Sequence, residues 1–197
     1  MIKEIKDGIA ILQLNKPVMA AVAARPSAKK WGFVILAVPP VVNLLLLKRL
    51  LSSTFFPYEG FSAIFSRFLF WPMIIPTLSF IGAIFAMSYG AEKFFKTTHN
   101  HWAFFRVLAY SSIFLWLTIV PFLFGLLGIL DPSGLFNLLS LVGVIWVFVV
   151  AYHLFLEWGK LSKQNAAIIV VGGFVAYLIF QLILGRILVG TYYRIFY

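Results

Sequence analysis

The stretch FFRVLAYSSIFLWLTIVPFLFGLLGILDPSGLFNLLSLVGVIWVFVVAYHLFL, residues 104–156, decides the fold of this chain. It consists of two long apolar runs separated by Asp131-Pro132-Ser133-Gly134. About 20 helical residues cross the roughly 30 Å hydrocarbon core of a bilayer, so each run is long enough to span it. Pro after Asp, followed by Gly, is turn chemistry. The stretch therefore predicts two antiparallel transmembrane helices joined by a tight turn.

The composition of the whole chain indicates the same class of protein. Of its 197 residues, 62% are hydrophobic and only 11% are charged, and the mean hydropathy is +1.00. A soluble domain carries about 45–50% apolar and about 25% charged residues, so this chain cannot cover a surface that faces water. The apolar runs are continuous rather than alternating, which excludes a transmembrane barrel. The predicted fold is an all-α polytopic membrane protein.

Five apolar runs are long enough to span the bilayer, and they cover residues 31–47, 68–87, 104–130, 135–156 and 166–188. The sequence therefore predicts a five-helix transmembrane domain over residues 31–197. Residues 1–30 precede it as a cytoplasmic interfacial segment.

The net charge of +10 is a signal of membrane topology. Nucleic-acid binding needs basic residues on a folded polar surface, whereas here they lie between apolar runs. Of the sixteen Lys and Arg residues, eleven fall in the N-terminal segment and the second and fourth connections, on one side of the membrane. Cytoplasmic loops carry the excess of basic residues. We therefore expect a cytoplasmic N-terminus, a C-terminus on the opposite face and, in a prokaryote, a location in the inner or plasma membrane.

The N-terminal segment has an amphipathic pattern. Its charges and two prolines exclude a cleavable signal peptide. Ile2, Ile5, Ile9 and Leu12 share one helical face, while the charged residues lie elsewhere. Such a helix lies in the headgroup plane beside anionic lipid, or it packs on the cytoplasmic end of the bundle. Both arrangements are open at the level of the sequence.

A second interfacial element is predicted between the first two spans. Six aromatic residues are interleaved there with serines, Glu59 and Arg67 over residues 55–68. Aromatic rings prefer the boundary between water and hydrocarbon, with or without a partner.

Prolines interrupt three of the predicted spans, and the candidate kink positions are Pro39, Pro40, Pro72, Pro76 and Pro121. Each proline removes a backbone hydrogen bond, and the freed carbonyl needs a partner in lipid. Asn43, one turn after Pro40, is a candidate for that partner. A broken-helix substrate site of a transporter and a purely structural kink are both consistent with this pattern. The kink is favoured, because no intramembrane carboxylate accompanies the prolines.

Titratable residues are few. His153 and Glu157 are four residues apart in the fourth span, so they share a helix face and we expect them to pair. His99 and His101, with Glu92 upstream, form the one histidine cluster in the sequence, but a metal site needs three or four ligands at fixed spacing. The chain has no cysteine, no serine with an adjacent histidine and carboxylate, and no phosphate-binding glycine loop. We therefore predict no catalytic residue, no metal and no cofactor.

Small residues recur in two spans at spacings that allow close helix packing. They predict a contact within the bundle or between two copies, and they are Gly82, Ala86, Gly90, Gly172, Gly173 and Ala176.

Three stretches resemble one known family. The first is Lys16-Pro17-Val18-Met19-Ala20-Ala21, a proline before a run of small residues. The second is Phe105-Arg106-Val107-Leu108-Ala109-Tyr110-Ser111-Ser112, which opens the third span. The third, residues 145–167, is a Trp-bearing span followed by a short basic turn and an Ala-led final span. With five spans in this order, the chain resembles the Yip domain family of Ypt-interacting membrane proteins.

The resemblance implies five helices and a cytoplasmic N-terminus. Eukaryotic relatives are associated with Rab-type GTPases, vesicle transport and membrane shaping. Their Asp-Leu-Tyr-Gly-Pro motif before the first span has no counterpart here. Of their Gly-Tyr-x-x-x-Pro motif, this chain keeps Tyr110 but has Ala109 and Phe114 at the Gly and Pro positions. These departures argue against GTPase recruitment and for a bacterial or archaeal member.

Two functions follow as hypotheses. The first is a non-enzymatic membrane scaffold or adaptor of the Yip type, acting in membrane organisation or membrane-protein trafficking. The alternative is a small transporter or channel that uses the kinked first and second spans. The expected partners are the lipid bilayer, anionic lipids at the N-terminal segment, and other proteins or a second copy, but no nucleic acid.

Overall fold

The computed structural model describes residues 1–54, 71–97, 100–129 and 131–189. Within these ranges the chain is helical and contains no strand. The α-helices are α1 (Ile2–Leu12), α2 (Lys16–Ala24), α3 (Ala28–Thr54), α4 (Trp71–Phe95), α5 (His101–Ser111), α6 (Ile119–Leu126), α7 (Pro132–Glu157) and α8 (Lys163–Leu184). A 3₁₀ segment, Ser112–Thr118, joins α5 to α6, and a π-helical turn, Gly185–Val189, follows α8.

Five of these helical stretches are long and apolar enough to cross a membrane, and they are Ala28–Leu50, Ile74–Phe95, His101–Leu126, Pro132–Glu157 and Lys163–Leu188. The predicted all-α polytopic fold is thereby confirmed, and the chain is a multi-pass integral membrane protein. The spans in α3 and α5 run side by side in the same direction, with Gly32 opposite Ala109 and Asn43 opposite Thr118.

The helix boundaries differ from the sequence prediction at several helix ends, among them the start of α7 and the end of α4. The predicted turn at residues 131–134 is wrong in its extent, because α7 begins at Pro132. Asp131 caps α7, since its Oδ1 accepts a hydrogen bond of 3.0 Å from the backbone N–H of Ser133. Proline is favoured at the first helical position, where its missing N–H is not needed. At the second of these ends, α4 continues to Phe95, beyond the predicted end at residue 87.

The third span is not one continuous α-helix. The hydroxyls of Ser111 and Ser112 donate to backbone carbonyls three residues earlier, at 2.7 and 2.6 Å, and the Thr118 hydroxyl does the same at 2.6 Å. Such side-chain bonds compete with the regular ladder and bend helices. Buried Pro121 adds to the effect, because it has no N–H for the carbonyl of residue 117. The chain therefore passes through a 3₁₀ segment in the middle of the span.

Among the described helices, α4 and α8 pack against each other most extensively. A Cβ on Gly82 would lie 2.9 Å from the ring of Phe180, and a Cβ on Gly173 would overlap the side chain of Met87. Gly90 and Gly172 instead face open space. Two of the predicted small residues thus allow this contact, and it lies within one chain.

The N-terminal helix α1 packs against α5 and the 3₁₀ segment. Its buried face consists of Glu4, Gly8 and Ile11. Ile2 and Ile9, by contrast, are 72% and 47% exposed. Ile5 and Leu12 are partly buried and pack against the core, so half of the predicted apolar stripe points away from the protein. The second predicted interfacial element, residues 55–68, lies outside the described residues.

Candidate functional site

A polar cluster holds α1 and α2 against the bundle. Arg25, the C-terminal cap of α2, places its Nη2 3.0 Å from Glu4 Oε2 and 2.6 Å from Asp7 Oδ2. The hydroxyl of Tyr110 on α5 donates a hydrogen bond to the same Glu4 oxygen. We call Glu4, Asp7, Arg25 and Tyr110 the N-terminal polar cluster. It joins three helices through charge-assisted hydrogen bonds, which are stronger than neutral ones.

The N-terminal polar cluster is largely removed from solvent. The side chains of Glu4, Asp7 and Arg25 are 12%, 19% and 22% exposed, and Tyr110 is fully buried. Burial acts to lower the pKa of Arg25, but the hydrogen bond to Asp7 and the charge of Glu4 outweigh it and leave that pKa raised. The guanidinium therefore stays charged and pairs with both carboxylates.

Close backbone approach brings α1 to this position. A Cβ on Gly8 would lie only 3.1 Å from the Tyr110 carbonyl oxygen and from side-chain atoms of Ile113, so glycine lets α1 lie flush on the third span. At the other end of α1, the indole Nε1 of Trp146 donates to the Leu12 carbonyl at 3.1 Å. The cluster and this bond hold both ends of α1.

The expected pair of His153 with Glu157 does not form. Glu157 instead binds Lys16, the first residue of α2, with 2.5 Å between Oε1 and Nζ. The ring of His153 packs edge-on against Tyr152. Lysine carries a full charge at neutral pH, whereas histidine does not, so Lys16 is the better partner for a carboxylate.

These pairs leave a basic outer surface on the N-terminal segment. Both of its carboxylates, Glu4 and Asp7, are bound to Arg25. The remaining lysines of this surface are exposed, and they are Lys3, Lys6, Lys29 and Lys30. Lys29 also lies over the Trp102 ring, 3.5 Å from its centroid. Positive charge thus borders the exposed apolar positions of α1.

A cavity of about 370 Å³ lies between all five spans. Its wall includes residues near the start of α4 and α7 and near the end of α8, so it occupies the half of the bundle away from the N-terminal polar cluster. The cavity is lined by Leu36, Pro39, Pro40, Asn43, Pro76, Thr77, Phe80, Leu115, Thr118, Phe136, Asn137, Ser140, Val144, Tyr177 and Gln181. We call this the five-helix cavity. The structure thus brings together four candidate residues from the sequence, which are Pro39, Pro40, Asn43 and Pro76.

The prolines in α3 free backbone carbonyls beside the cavity. Pro39 has no N–H to donate to the carbonyl of Ile35. The indole Nε1 of Trp116 donates a hydrogen bond of 3.1 Å to that carbonyl instead. Asn43 does not fill this role. Its Nδ2 donates to Thr118 Oγ1 at 2.9 Å across the helix interface. Trp116 is the partner that the sequence did not reveal.

The amide oxygen of Asn43 has no hydrogen-bond partner among the residues that the structure describes. Asn43 is 2% exposed and lines the five-helix cavity. Elsewhere in the wall, Gln181 Nε2 donates to the Tyr177 hydroxyl at 2.6 Å. No acidic, basic or histidine side chain is among the described residues that line the cavity. The described wall is therefore mostly apolar, with several uncharged polar groups.

A serine, a histidine and a carboxylate meet at the junction of α4 and α5, where the sequence grouped His101 with Glu92 but did not indicate Ser88. Ser88 Oγ lies 2.6 Å from His101 Nδ1, and His101 Nε2 lies 2.9 Å from Glu92 Oε2. Ser88 is fully buried, so no substrate atom has access to its hydroxyl in this conformation. The three side chains tie the two helices together. No group of three potential metal ligands occurs among the described residues.

Three candidate positions remain, of which only Pro121 has a described side chain. His99 lies outside the described residues, as does the side chain of Pro72. Pro121 is buried in α6 and does not line the cavity. Sequence reasoning missed Glu4, Asp7 and Arg25 as a site. A signal was present, because two of the chain's six acidic residues lie within four positions of each other in an otherwise basic segment.

Comparison with known proteins gives one match. The Yip1 domain matches residues 14–185, which leaves α1 outside and includes α2, the first four spans and the fifth except its last three residues. No curated protein and no solved structure matches the chain. Because the matched region covers most of the chain, the protein belongs to the Yip1 domain family.

Proposed function

We propose that this protein is a non-enzymatic membrane scaffold of the Yip type that organises the bilayer or its proteins through the α1–α2 unit. The observation that carries the proposal is the N-terminal polar cluster. It fixes α1 against one half of the bundle with its apolar positions Ile2 and Ile9 pointing outward. Family membership supports a Yip-type role.

A helix held in this way adds cross-section to one leaflet only. The outward isoleucines of α1 suit the boundary between headgroups and acyl chains, where amphipathic helices insert their apolar face. The exposed lysines beside them attract anionic lipid, each by about 1 kcal/mol near the surface. The charge distribution supports a cytoplasmic location for this unit. One-sided insertion of this kind favours membrane curvature. It also leaves the outer face of α1 accessible to partner proteins.

Reconstitution tests the proposal. The full chain is incorporated into vesicles that contain an anionic lipid, and vesicle diameters are measured by electron cryomicroscopy. We expect smaller vesicles than in the protein-free control. The double variant Ile2→Ser and Ile9→Ser should restore the larger diameter, because it removes exposed apolar side chains without touching the core. The matched control, Ala20→Ser and Ala21→Ser, changes exposed positions of α2 and should behave as the unaltered protein.

A second arm of the test looks for protein partners. A photo-crosslinking amino acid at position 2 or 9 should capture a neighbouring protein in native membranes. Unchanged vesicle diameters together with no crosslinked partner would overturn the scaffold proposal.

Transport is the second candidate function, and the five-helix cavity favours it. Kinked helices with a polar cavity between them are the construction of many transporter sites. A flux assay in proteoliposomes separates the two candidates, because a scaffold gives no flux. If the cavity is a transport site, Asn43→Ala should abolish flux.

A further inference from the structure

We propose that the five-helix cavity binds an uncharged amphiphile whose hydroxyl group donates a hydrogen bond to Asn43 Oδ1. The inference goes beyond the scaffold role and does not rest on it. It concerns the same cavity as the transport alternative, but it requires no passage of the ligand through the bundle.

The hydrogen-bond state of Asn43 carries the first step. Its Nδ2 donates to Thr118, which fixes the orientation of the amide. Its Oδ1 has no partner within the described part of the chain, although the residue is only 2% exposed. A buried acceptor without a donor costs about 1–3 kcal/mol. A ligand that supplies an O–H or N–H at this point removes that cost. The cavity therefore favours a ligand that carries a hydrogen-bond donor.

The rest of the wall defines the remainder of the ligand. Hydroxyl and amide groups of Thr77, Ser140 and Gln181 offer further hydrogen bonds, while Phe80 and Phe136 provide apolar surface. No charged side chain among the described lining residues is available to balance an ionised group, and burial of an unpaired charge is strongly unfavourable. The ligand is therefore neutral, with a hydroxylated head and an apolar tail.

The size of the cavity fits a small molecule. Ligand pockets in proteins measure about 300–1,000 Å³, and the volume here is near the lower end, about 370 Å³. Asn137, the exposed residue of the wall, lies in the second turn of α7 and marks one edge of the cavity. Such a volume accommodates a glycerol head with a short acyl chain rather than a complete phospholipid.

Native mass spectrometry of the purified full chain tests the inference with three matched probes. The first is 1-octanoylglycerol, which has hydroxyl donors. The second is methyl octanoate, which has the same chain without a donor, and the third is the octanoate anion. We expect one molecule of 1-octanoylglycerol per chain, binding of methyl octanoate that is weaker by about tenfold, as the loss of one hydrogen bond predicts, and no binding of octanoate.

Two variants locate the site. Asn43→Leu should lower the affinity for 1-octanoylglycerol about tenfold and leave the affinity for methyl octanoate unchanged. The control Asn165→Leu, on α8 away from the cavity, should change neither affinity. Ser140→Leu keeps the bond between Asn43 and Thr118 but fills the cavity, so it should weaken both neutral probes. Absence of 1-octanoylglycerol binding, equal affinity for the two neutral probes, or undiminished binding in both cavity variants would overturn the inference. The vesicle assay reports on the scaffold proposal separately.

Discussion

The hydroxyl of Tyr110 donates a hydrogen bond to the carboxylate of Glu4, a residue 106 positions earlier in the chain. This bond joins the middle of the structure to its N-terminal helix. Arg25, at the C-terminal end of α2, binds the same carboxylate oxygen, so α1 is held by an ion pair and a neutral donor together. In the proposed scaffold role, the cluster orients the outward face of α1.

Removal of Arg25 should release α1. Arg25→Leu leaves Glu4 and Asp7 without their cation in a site that is mostly shielded from water, and we expect a loss of about 3 kcal/mol in the free energy of unfolding. Trypsin should then cleave at Lys3 and Lys6 faster, because α1 detaches. The matched control is Lys16→Gln, which breaks the pair with Glu157, where the lysine side chain is 70% exposed. Its effect should stay below about 1 kcal/mol. Equal effects of the two variants would contradict the role given to the cluster.

Trp116 should matter only because Pro39 is present. Trp116→Phe removes the donor to the Ile35 carbonyl, and we expect a loss of about 1–2 kcal/mol in unfolding free energy. Pro39→Ala restores a backbone N–H for that carbonyl. In a double-mutant cycle, the cost of Trp116→Phe should therefore fall by about 1 kcal/mol in the Pro39→Ala background. The unfolding free energies are measured in mixed micelles. If the effects of the two substitutions simply add, the indole does not replace the backbone N–H that Pro39 lacks.

Adjacent glycines in α8 should respond in opposite ways to alanine. Gly173→Ala places a Cβ onto Met87, and overpacking of this kind costs about 1–3 kcal/mol. Gly172→Ala meets nothing within 4 Å and gains helix propensity, so its stability should stay equal or rise. Thermal unfolding in detergent checks both. Met87→Ala should relieve the Gly173→Ala defect, and the absence of such relief would count against the packing of α4 on α8.

Asp131 should give the start of α7 a dependence on pH. Hydrogen bonds from the backbone and the side chain of Ser133 lower the pKa of its carboxyl. The ionised form is thus favoured in the folded state, and its contribution is present above the unfolded-state pKa of about 3.9 and lost as the pH falls through the lower folded-state pKa. Asp131→Asn keeps an accepting oxygen but does not titrate. The Tm difference between the two proteins should be constant above about pH 5 and shrink below it, and a pH-independent difference would refute this role.

Sequence patterns were sufficient to predict the five-helix bundle but not the contacts between its helices. The five spans follow from apolar length alone, because that property belongs to each segment separately. The positions of Pro39, Asn43 and Pro76 around one cavity, and the choice of Lys16 rather than His153 by Glu157, depend on how helices are rotated against each other. The amphipathic stripe of α1 was visible, but the outward direction of Ile2 and Ile9 depends on the burial of Glu4, Gly8 and Ile11.

The docking of α1 is the central claim, and disulfide formation tests it most directly. The natural chain has no cysteine, so Gly8→Cys with Ile113→Cys introduces one pair whose side chains lie in contact, because a Cβ on Gly8 comes within 3.1 Å of Ile113. The control pair, Ile9→Cys with Ile113→Cys, uses a residue that is 47% exposed on the outer side of α1. After mild oxidation in native membranes, a maleimide-polymer gel shift counts the free thiols. We predict a disulfide in the first pair and free thiols in the second, whereas free thiols in the first pair or equal oxidation of both would contradict the account.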